Sequence, residues 1–221
     1  MQTRCVQMLA VAMIAGAAAS SQAATVYVDP SSGGWNGFMN VFDLGGGYQF
    51  SSGWGIADLN ASFNDSANKL KLSPNTIGDP NPYWYIGGGA PGNPGNKIME
   101  ANLYRQVDDG SLSGQTVTFQ GTVLSNSFTS AHTAIIFIRD FAPDFSSFTE
   151  TTIALTAGAF SFSHNTAAGA GRHVQWGFQV KGVNVWTTDT APFGFAEIAT
   201  IPGPATLALG ALGLFAGRRR R

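Results

Sequence analysis

The sequence predicts an all-β protein: an antiparallel β-sandwich, in its simplest form a jelly roll, flanked by an N-terminal signal peptide and a C-terminal anchor helix. Between the two ends, no window of 12 residues places apolar side chains at the spacing of an amphipathic helix. Ten or more short, strand-like segments are instead separated by turns rich in Gly, Asp, Asn and Pro. This combination is typical of sandwiches, and an immunoglobulin-like strand order is the alternative to the jelly roll.

Residues 173–181 give the clearest strand pattern, because Val174, Trp176 and Phe178 alternate with polar side chains. A period of two predicts a strand with one face in the core, so we expect Trp176 and Phe178 to be core residues. Residues 133–138 form an apolar run that predicts an interior strand covered on both faces. The other predicted strands are 26–28, 39–42, 57–63, 69–72, 97–104, 116–124, 151–155, 159–162, 183–186 and 193–199.

Residues 73–96 break this pattern and predict a long loop. They contain five prolines and six glycines around the aromatic triplet Tyr83, Trp84 and Tyr85. A loop of this length in a compact domain is usually either functional or disordered. Three adjacent large rings favour packing on a surface over full disorder.

The N-terminus predicts a signal peptide over residues 1–23. Arg4 supplies its positive start, residues 8–19 are apolar, and the segment from Ser21 to Ala23 matches a small-x-small cleavage site. Cys5 is the only cysteine of the chain and lies in this segment. We therefore expect a mature chain without disulfides, held together by its core alone.

The C-terminus, residues 201–221, carries a turn, an apolar run and a basic end. The 12 residues of the run make about 18 Å of helix, and counting from Ile201 brings the segment to the lower limit of a span. Arginines at the end of such a helix stay on the cytoplasmic side and stop transfer. The residues of this pattern are Pro202, Gly203 and Pro204, then the run 206–217, then Arg218, Arg219, Arg220 and Arg221.

This tail resembles the PEP-CTERM sorting signal of Gram-negative and planctomycete-type bacteria, with Gly203 where that family usually has Glu. The resemblance implies passage through the secretion machinery, transient anchoring in the membrane by the C-terminal helix, and processing by an exosortase-type membrane protease. An anchor helix that is never cut is the alternative. The expected organisation is a signal peptide over 1–23, a β-sandwich domain over 24–200 and a sorting tail over 201–221.

Charge bounds the partners of the domain between these ends. Five of the 12 Lys and Arg lie in the two terminal segments, so seven remain against 13 Asp and Glu, a net charge of −6. Nucleic-acid binding needs clustered Lys and Arg, and we expect no nucleic-acid partner. Binding to anionic lipid is disfavoured for the same reason.

Turn-borne aromatic residues and one polar strand face predict a sugar site, because sugar rings stack on aromatic planes while amides and charged groups bind their hydroxyls. An Arg at a sheet edge can clamp a carboxylate or sugar hydroxyls. The alternatives are that the aromatic rings plug the ends of the core and that Arg139 forms a local ion pair. The candidate ligand-binding residues are Tyr83, Trp84, Tyr85, Arg139, His173, Gln175, Gln179, Asn184 and Trp186.

No catalytic motif is present, and the three histidines are isolated in sequence. Glu100, Asp140, Glu150 and Glu197 could supply a glycosidase pair, which makes a polysaccharide hydrolase the alternative function. No loop has the spacing of a calcium-binding loop, although Asp29 and Glu197 would share a weak calcium site if the termini lay side by side. We expect no cofactor, no other metal site and no catalysis.

Residues 114–199 resemble the galactose-binding-like jelly rolls of carbohydrate-binding modules over about two fifths of the chain. The segments that carry this resemblance are 112–119, 133–140, 174–178 and 182–186. The expected protein is secreted, sorted to the cell envelope and non-catalytic. It either binds extracellular polysaccharide or serves as a cell-surface or matrix component, with a purely structural matrix protein as a further alternative.

Overall fold

The structure, a computed structural model, describes residues 23–201. The predicted signal peptide and sorting tail lie outside these residues except at Ala23 and Ile201. Within the described range no helix is long and apolar enough to cross a membrane.

Twelve strands and four short 3-10 turns make up the described chain, so the predicted all-β class is confirmed. The strands are β1 (Ala23–Tyr27), β2 (Asn36–Phe42), β3 (Tyr48–Gly53), β4 (Ala61–Asn64), β5 (Lys69–Leu72), β6 (Ile98–Val107), β7 (Thr116–Asn126), β8 (His132–Phe141), β9 (Phe148–Ala154), β10 (Gly158–Asn165), β11 (His173–Val183) and β12 (Ala196–Ala199). The 3-10 turns are Ser31–Gly33, Ala57–Leu59, Asp65–Ala67 and Ala191–Phe193.

The first sheet contains β1, β4, β5, β7, β10 and β12. β10 pairs with one edge of β7, while β1 and β12 share the other edge, β1 along its first half and β12 along its last residues. β5 and β4 follow beyond β12. The β1–β7 pair is parallel, and the other pairs of this sheet are antiparallel.

The second sheet is antiparallel, in the order β3-β2-β6-β11-β8-β9. β11 lies at its centre and pairs along almost its whole length with β6 on one side and β8 on the other. This strand is the one with the clearest alternation in the sequence. Its central position explains the pattern, because one face packs against the first sheet while the other forms the outer surface.

The two sheets enclose one apolar core, which confirms the sandwich. Trp176 and Phe178 of β11 are buried in it, as predicted, and Phe178 packs against Phe119 of the first sheet with 5.8 Å between ring centroids. In β8, Ile136 and Ile138 face this core. Phe137 points to the opposite side and is also fully buried, so this strand is covered on both faces at its centre.

Two strand predictions were wrong, one strand was missed, and the strand predicted over 193–199 pairs only over Ala196–Ala199, after a 3-10 turn that ends at Phe193. Residues 57–63 begin in a 3-10 turn, because Asn60 takes a left-handed conformation, with φ of 55°, and strand pairing starts only at Ala61. Residues 183–186 form no strand of their own: β11 extends to Val183, and Val185 makes a single bridge to Thr76. β3 was not predicted, since its Ser- and Gly-rich composition reads as a turn.

Candidate functional site

A cleft of about 580 Å³ lies on the outer face of the second sheet. It exists because alternate residues of β6, β11 and β8 point away from the core, and the sequence makes those positions polar or aromatic. The lining residues are Phe38, Asn40, Glu100, Asn102, Tyr104, Gln106, Arg139, Phe141, Phe145, Phe148 and Gln175.

Asn102 lies at the centre of the cleft floor and is only 2% exposed. Its side-chain oxygen accepts hydrogen bonds from Gln179 Nε2 at 2.9 Å and Arg139 Nη1 at 2.8 Å. Its Nδ2 donates to two backbone carbonyls, those of Glu100 and Phe38. A buried amide whose donor and acceptor are both engaged is held in one orientation, so this part of the floor is rigid.

Arg139 crosses the floor in an extended position. Its Nε donates to Glu150 at 2.9 Å, and its guanidinium carbon lies 3.9 Å from the centre of the Phe137 ring. The local ion pair considered from the sequence is therefore present. The guanidinium stacks on Phe137 and buries it, which explains how a phenylalanine on the outer face becomes inaccessible.

Glu100 and Lys181 form a second ion pair on the floor, at 3.0 Å. The other carboxylate oxygen of Glu100 accepts a hydrogen bond from Asn40 Nδ2 at 2.9 Å. The two cations of the cleft region are thus each paired with a carboxylate.

A chain of amides continues the floor toward one end of the sheet. Gln175 Nε2 donates to Gln106 Oε1 at 2.6 Å, and Gln106 in turn donates to the carboxylate of Asp108. Tyr104 also lines this part of the cleft, and burial raises the pKa of its hydroxyl, with a further contribution from the charge of Asp108. The phenol therefore stays a hydrogen-bond donor at neutral pH.

His173 fastens one wall of the cleft at that end. Its Nδ1 lies 2.6 Å from the carboxylate of Asp108, and its Nε2 lies 3.2 Å from the carbonyl oxygen of Pro143. Burial acts to lower the pKa of His173, but the hydrogen bonds to Asp108 and Pro143 outweigh it and the pKa is raised. Both partners are acceptors, so the two bonds form together only when the ring is protonated.

Three phenylalanines form this wall, at the turn between β8 and β9. Phe141 packs against Phe145 and Phe148, with ring centroids 5.6 and 4.9 Å apart. Phe145 and Phe148 are each 50% exposed, and Phe145 stacks on His173 at 3.9 Å. Phe145 also adopts φ of 57°, a strained conformation for a bulky residue that the stacking and the turn must hold.

Four of the nine predicted ligand-binding residues meet at this face: Arg139, His173, Gln175 and Gln179. Sequence reasoning missed the β6 floor and the phenylalanine wall. The signal for the floor was present, because Glu100, Asn102 and Tyr104 alternate with the apolar residues Met99, Ala101 and Leu103 as the β11 face does. The phenylalanine wall could not be predicted from the spacing of residues in the sequence, since it depends on how the β8–β9 turn folds over His173.

The aromatic triplet lies elsewhere and does not line one groove. Tyr85 is completely buried, and its hydroxyl lies within hydrogen-bond distance of two carbonyl oxygens, that of Ile77 in the long loop at 2.5 Å and that of Val185 after β11 at 3.0 Å. Trp84 packs against the core edge and Phe50, while Tyr83 is exposed beneath Lys97. Of these three rings, only Tyr83 presents much surface to solvent.

Asn184 and Trp186 fix the long loop rather than extend the cleft. Asn184 is buried, accepts a hydrogen bond from Lys97 N and donates one to the carbonyl of Trp84, each at 3.0 Å. Trp186 packs edge-on against Tyr85, with 5.2 Å between ring centroids. These residues hold the loop to the end of the sandwich, which is the core-plugging alternative considered for the aromatic rings.

A larger groove, about 740 Å³, lies beside this loop between residues 92–95 and 183–193. Its lining is mainly apolar, and its one carboxylate, Asp189, is occupied by the backbone N–H of Gly92 at 2.7 Å. The outer-face cleft offers more exposed hydrogen-bonding groups together with an aromatic wall, so it is the stronger candidate despite its smaller volume.

The two residues of the proposed calcium site have different partners. Asp29 is paired with Arg105, and partial burial still raises the pKa of Asp29 against the effect of that arginine. Glu197 is paired with Lys69 at 3.1 Å on the first sheet. Among residues 23–201, no group of three or more His, Cys, Asp or Glu side chains is arranged to hold a metal ion.

The remaining acidic candidates do not form a compact pair. Asp140 is fully buried, where it accepts hydrogen bonds from Arg172 Nε at 2.8 Å and Ala167 N at 2.7 Å. Glu100 and Glu150 share the outer face but lie on β6 and β9, three strands apart. Through Arg139 and Gln175, Glu150 is level with Gln106, which lies six residues along β6 from Glu100. At roughly 3.4 Å per residue and 4.8 Å per strand the two backbones are more than about 20 Å apart, too far for the side chains to reach the separation of about 5 to 9.5 Å between glycosidase carboxylates.

The histidines lie apart as well. His164 sits between the hydroxyls of Thr149 and Thr151, and His132 contacts the carbonyl of Val183. Burial lowers the pKa of both side chains, so each is neutral near pH 7. A comparison of the chain with models of known protein families and with curated proteins finds no match.

Proposed function

We propose that the protein is a secreted, envelope-sorted and non-catalytic glycan-binding protein that holds extracellular polysaccharide in the outer-face cleft. One observation carries the proposal: half-exposed Phe145 and Phe148 stand beside a floor of amides already fixed by hydrogen bonds. Exposed rings can stack on the apolar faces of sugars, and fixed amides can bind the hydroxyls without first losing conformational freedom.

We infer further that the sandwich is a jelly roll. The strand pairing supports this finer assignment, because β5 pairs with β12, β6 with β11, β7 with β10 and β8 with β9, each pair antiparallel. A long hairpin of four strand pairs wound into two sheets has this order, with two Greek keys. β1 to β4 extend the sheets beyond these eight strands.

The sorting and localisation proposals rest on the terminal sequences. An exosortase-type protease and the secretion machinery are the proposed partners of the tail. The last described residue, Ile201, donates its backbone N–H to Val28 O at 2.8 Å, beside the first sheet. A chain anchored through residues 202–221 would therefore be held from the sheet opposite to the cleft, which leaves the cleft available to polysaccharide.

The pairing of the acidic groups supports a binding role over hydrolysis. Glu100 and Glu150 are each bound to a cation, and their separation leaves neither with a second carboxylate in reach. A polysaccharide hydrolase remains the competing proposal, and release of reducing ends by the purified chain would replace binding as the conclusion. A purely structural matrix protein would instead self-assemble without any glycan.

Affinity electrophoresis of the full-length chain in gels containing polysaccharide tests the proposal. We expect retardation in at least one polysaccharide and its loss in Phe148→Ala, with affinity about tenfold or more lower. Tyr48→Ala is the matched control, since Tyr48 is 61% exposed on β3 of the same sheet but does not line the cleft. Equal loss in both variants, or no retardation in any polysaccharide, would contradict the proposal.

A further inference from the structure

The cations of the described chain have a feature in common: all seven are engaged. Five form ion pairs with carboxylates. The remaining two lie over aromatic rings, Lys71 over Phe195 at 4.3 Å and Lys97 over Tyr83 at 4.2 Å. The five ion pairs are Lys69–Glu197, Arg105–Asp29, Arg139–Glu150, Arg172–Asp140 and Lys181–Glu100.

Excess acid makes an anionic ligand still less favourable. The 13 Asp and Glu outnumber the seven Lys and Arg of residues 23–201, so the domain carries a net negative charge. A uronate, sulfate or phosphate group entering the cleft would meet Arg139, which is already neutralised by Glu150. Lys181, the nearest other cation through its partner Glu100, is neutralised in the same way. Binding it would require one of these pairs to be exchanged while the surrounding field repels the ligand.

The groups of the cleft that keep free valences are suited to hydroxyls. Within residues 23–201 the Tyr104 hydroxyl makes no hydrogen bond, and the side-chain carbonyl of Gln175 accepts none. Neither oxygen is among the fully buried atoms of the described residues, so both are accessible to a ligand. Arg139 donates through Nε and Nη1, which leaves its Nη2 donors to spare. Donors and acceptors side by side match the hydroxyl group, which can both give and accept a hydrogen bond.

We infer that the cleft selects neutral saccharides over anionic ones. This inference rests on the proposed glycan-binding function and adds the class of sugar. The half-exposed Phe148 and Phe145 would stack on the sugar ring, and the Gln175 carbonyl, the Tyr104 hydroxyl and Arg139 would bind its hydroxyls. The ion pairs act as an electrostatic filter: because Arg139 and Lys181 are already paired with carboxylates, neither is available to bind an acidic group of a sugar.

One substitution should remove the selection against acidic sugars, and the chain offers a matched control for it. Glu150→Gln removes one negative charge and frees Arg139 inside the cleft, while Glu197→Gln makes the same change at Lys69 on the opposite sheet. The full-length wild type and both variants are tested on a neutral set, glucan, mannan and galactan, and an acidic set, polygalacturonate and alginate.

We expect the wild type to bind only neutral polysaccharide and to lose it in Phe148→Ala. Glu150→Gln should gain about tenfold in affinity for the acidic set at low salt, a gain that falls as salt screens the charge, and Glu197→Gln should gain nothing. Phe148-dependent binding of acidic polysaccharide by the wild type would overturn the inference while the glycan-binding function stood. An equal gain in both variants would also overturn it, and binding to neither set would remove the proposed function itself.

Discussion

Asn102 is the residue that joins the most groups of the cleft floor. Its amide links β6 to Gln179 of β11 and Arg139 of β8, and its own strand and β2 accept its two N–H groups. Each of these groups would lose a partner if the amide were absent. A buried polar network of this kind stabilises the fold only while it is complete.

Asn102→Ala should therefore lower the free energy of unfolding by about 2–3 kcal/mol, because buried donors including a charged guanidinium lose their acceptor. Asn40→Ala, which removes a single hydrogen bond to Glu100 near the cleft edge, should cost under about 1 kcal/mol. Urea denaturation of the full-length chain measures both. Equal effects would show that the floor does not depend on its central amide.

Single residues were predictable where the strand period decides their side of the sheet. Gln175 and Gln179 were placed correctly on the outer face because they alternate with Trp176 and Phe178. Tyr85 was not predictable, since its position depends on a loop whose path is set by contacts with residues about 100 positions away, such as Val185. Composition reveals a turn-borne aromatic residue, but not whether it faces water or plugs the core.

The turn between β8 and β9 is the element on which the aromatic wall depends. It is closed by a hydrogen bond from Ala142 N to Ser147 O. His173 of β11 stabilises the turn through a hydrogen bond to the carbonyl of Pro143 and by stacking on Phe145. The charged and titratable groups around His173 are Asp108 on the β6–β7 connection, which it contacts, and the Arg172–Asp140 pair beside it. Asp108 therefore supplies the negative charge that favours a protonated ring.

The hold on this turn should weaken as pH rises. The pKa of His173 is raised in the folded chain, so its contribution is fully present below the unfolded value of about 6.5 and is lost above the folded value. Proteolysis within residues 142–147 should therefore accelerate in the wild type as the pH rises above about 6.5 and through the raised pKa of His173. In His173→Gln the rate should be high and independent of pH after correction for protease activity.

His132 and His164 provide the contrast for this prediction. Burial lowers their pKa, so they contribute stability that is lost as pH falls, which is opposite in sign to His173. The difference between wild type and His173→Gln therefore isolates the turn. A wild-type proteolysis rate that does not change with pH would contradict the proposal that protonated His173 holds the turn.

At the level of elements, local pattern predicted strands better than their partners. β5 was predicted to the residue, and β7 and β11 were predicted because they alternate over many residues. β3 was missed because it is an edge strand, where Ser and Gly suffice to continue the ladder from β2. The cleft needs β6, β11 and β8 to lie side by side, and that pairing is decided by long-range contacts that no local window contains.

The whole molecule is held by one core shared between the two sheets. Phe178 of the second sheet is 1% exposed and contacts both Phe119 of the first sheet and Trp35 of the segment before β2. No cysteine lies within residues 23–201, so no disulfide supplements these contacts in the described domain. The sheets should therefore unfold together.

Phe178→Ala tests this dependence. We expect it to lower the free energy of unfolding by about 3–5 kcal/mol, because it opens a cavity at the centre of the core, whereas Phe148→Ala, half-exposed on the cleft wall, should cost less than about 1 kcal/mol. Urea unfolding followed by tryptophan fluorescence and by circular dichroism should give coincident transitions in every variant. Separate transitions would mean that the sheets are held independently. A large loss in Phe148→Ala would mean that the wall belongs to the core, and its effect on glycan binding would then reflect folding and not contact with sugar.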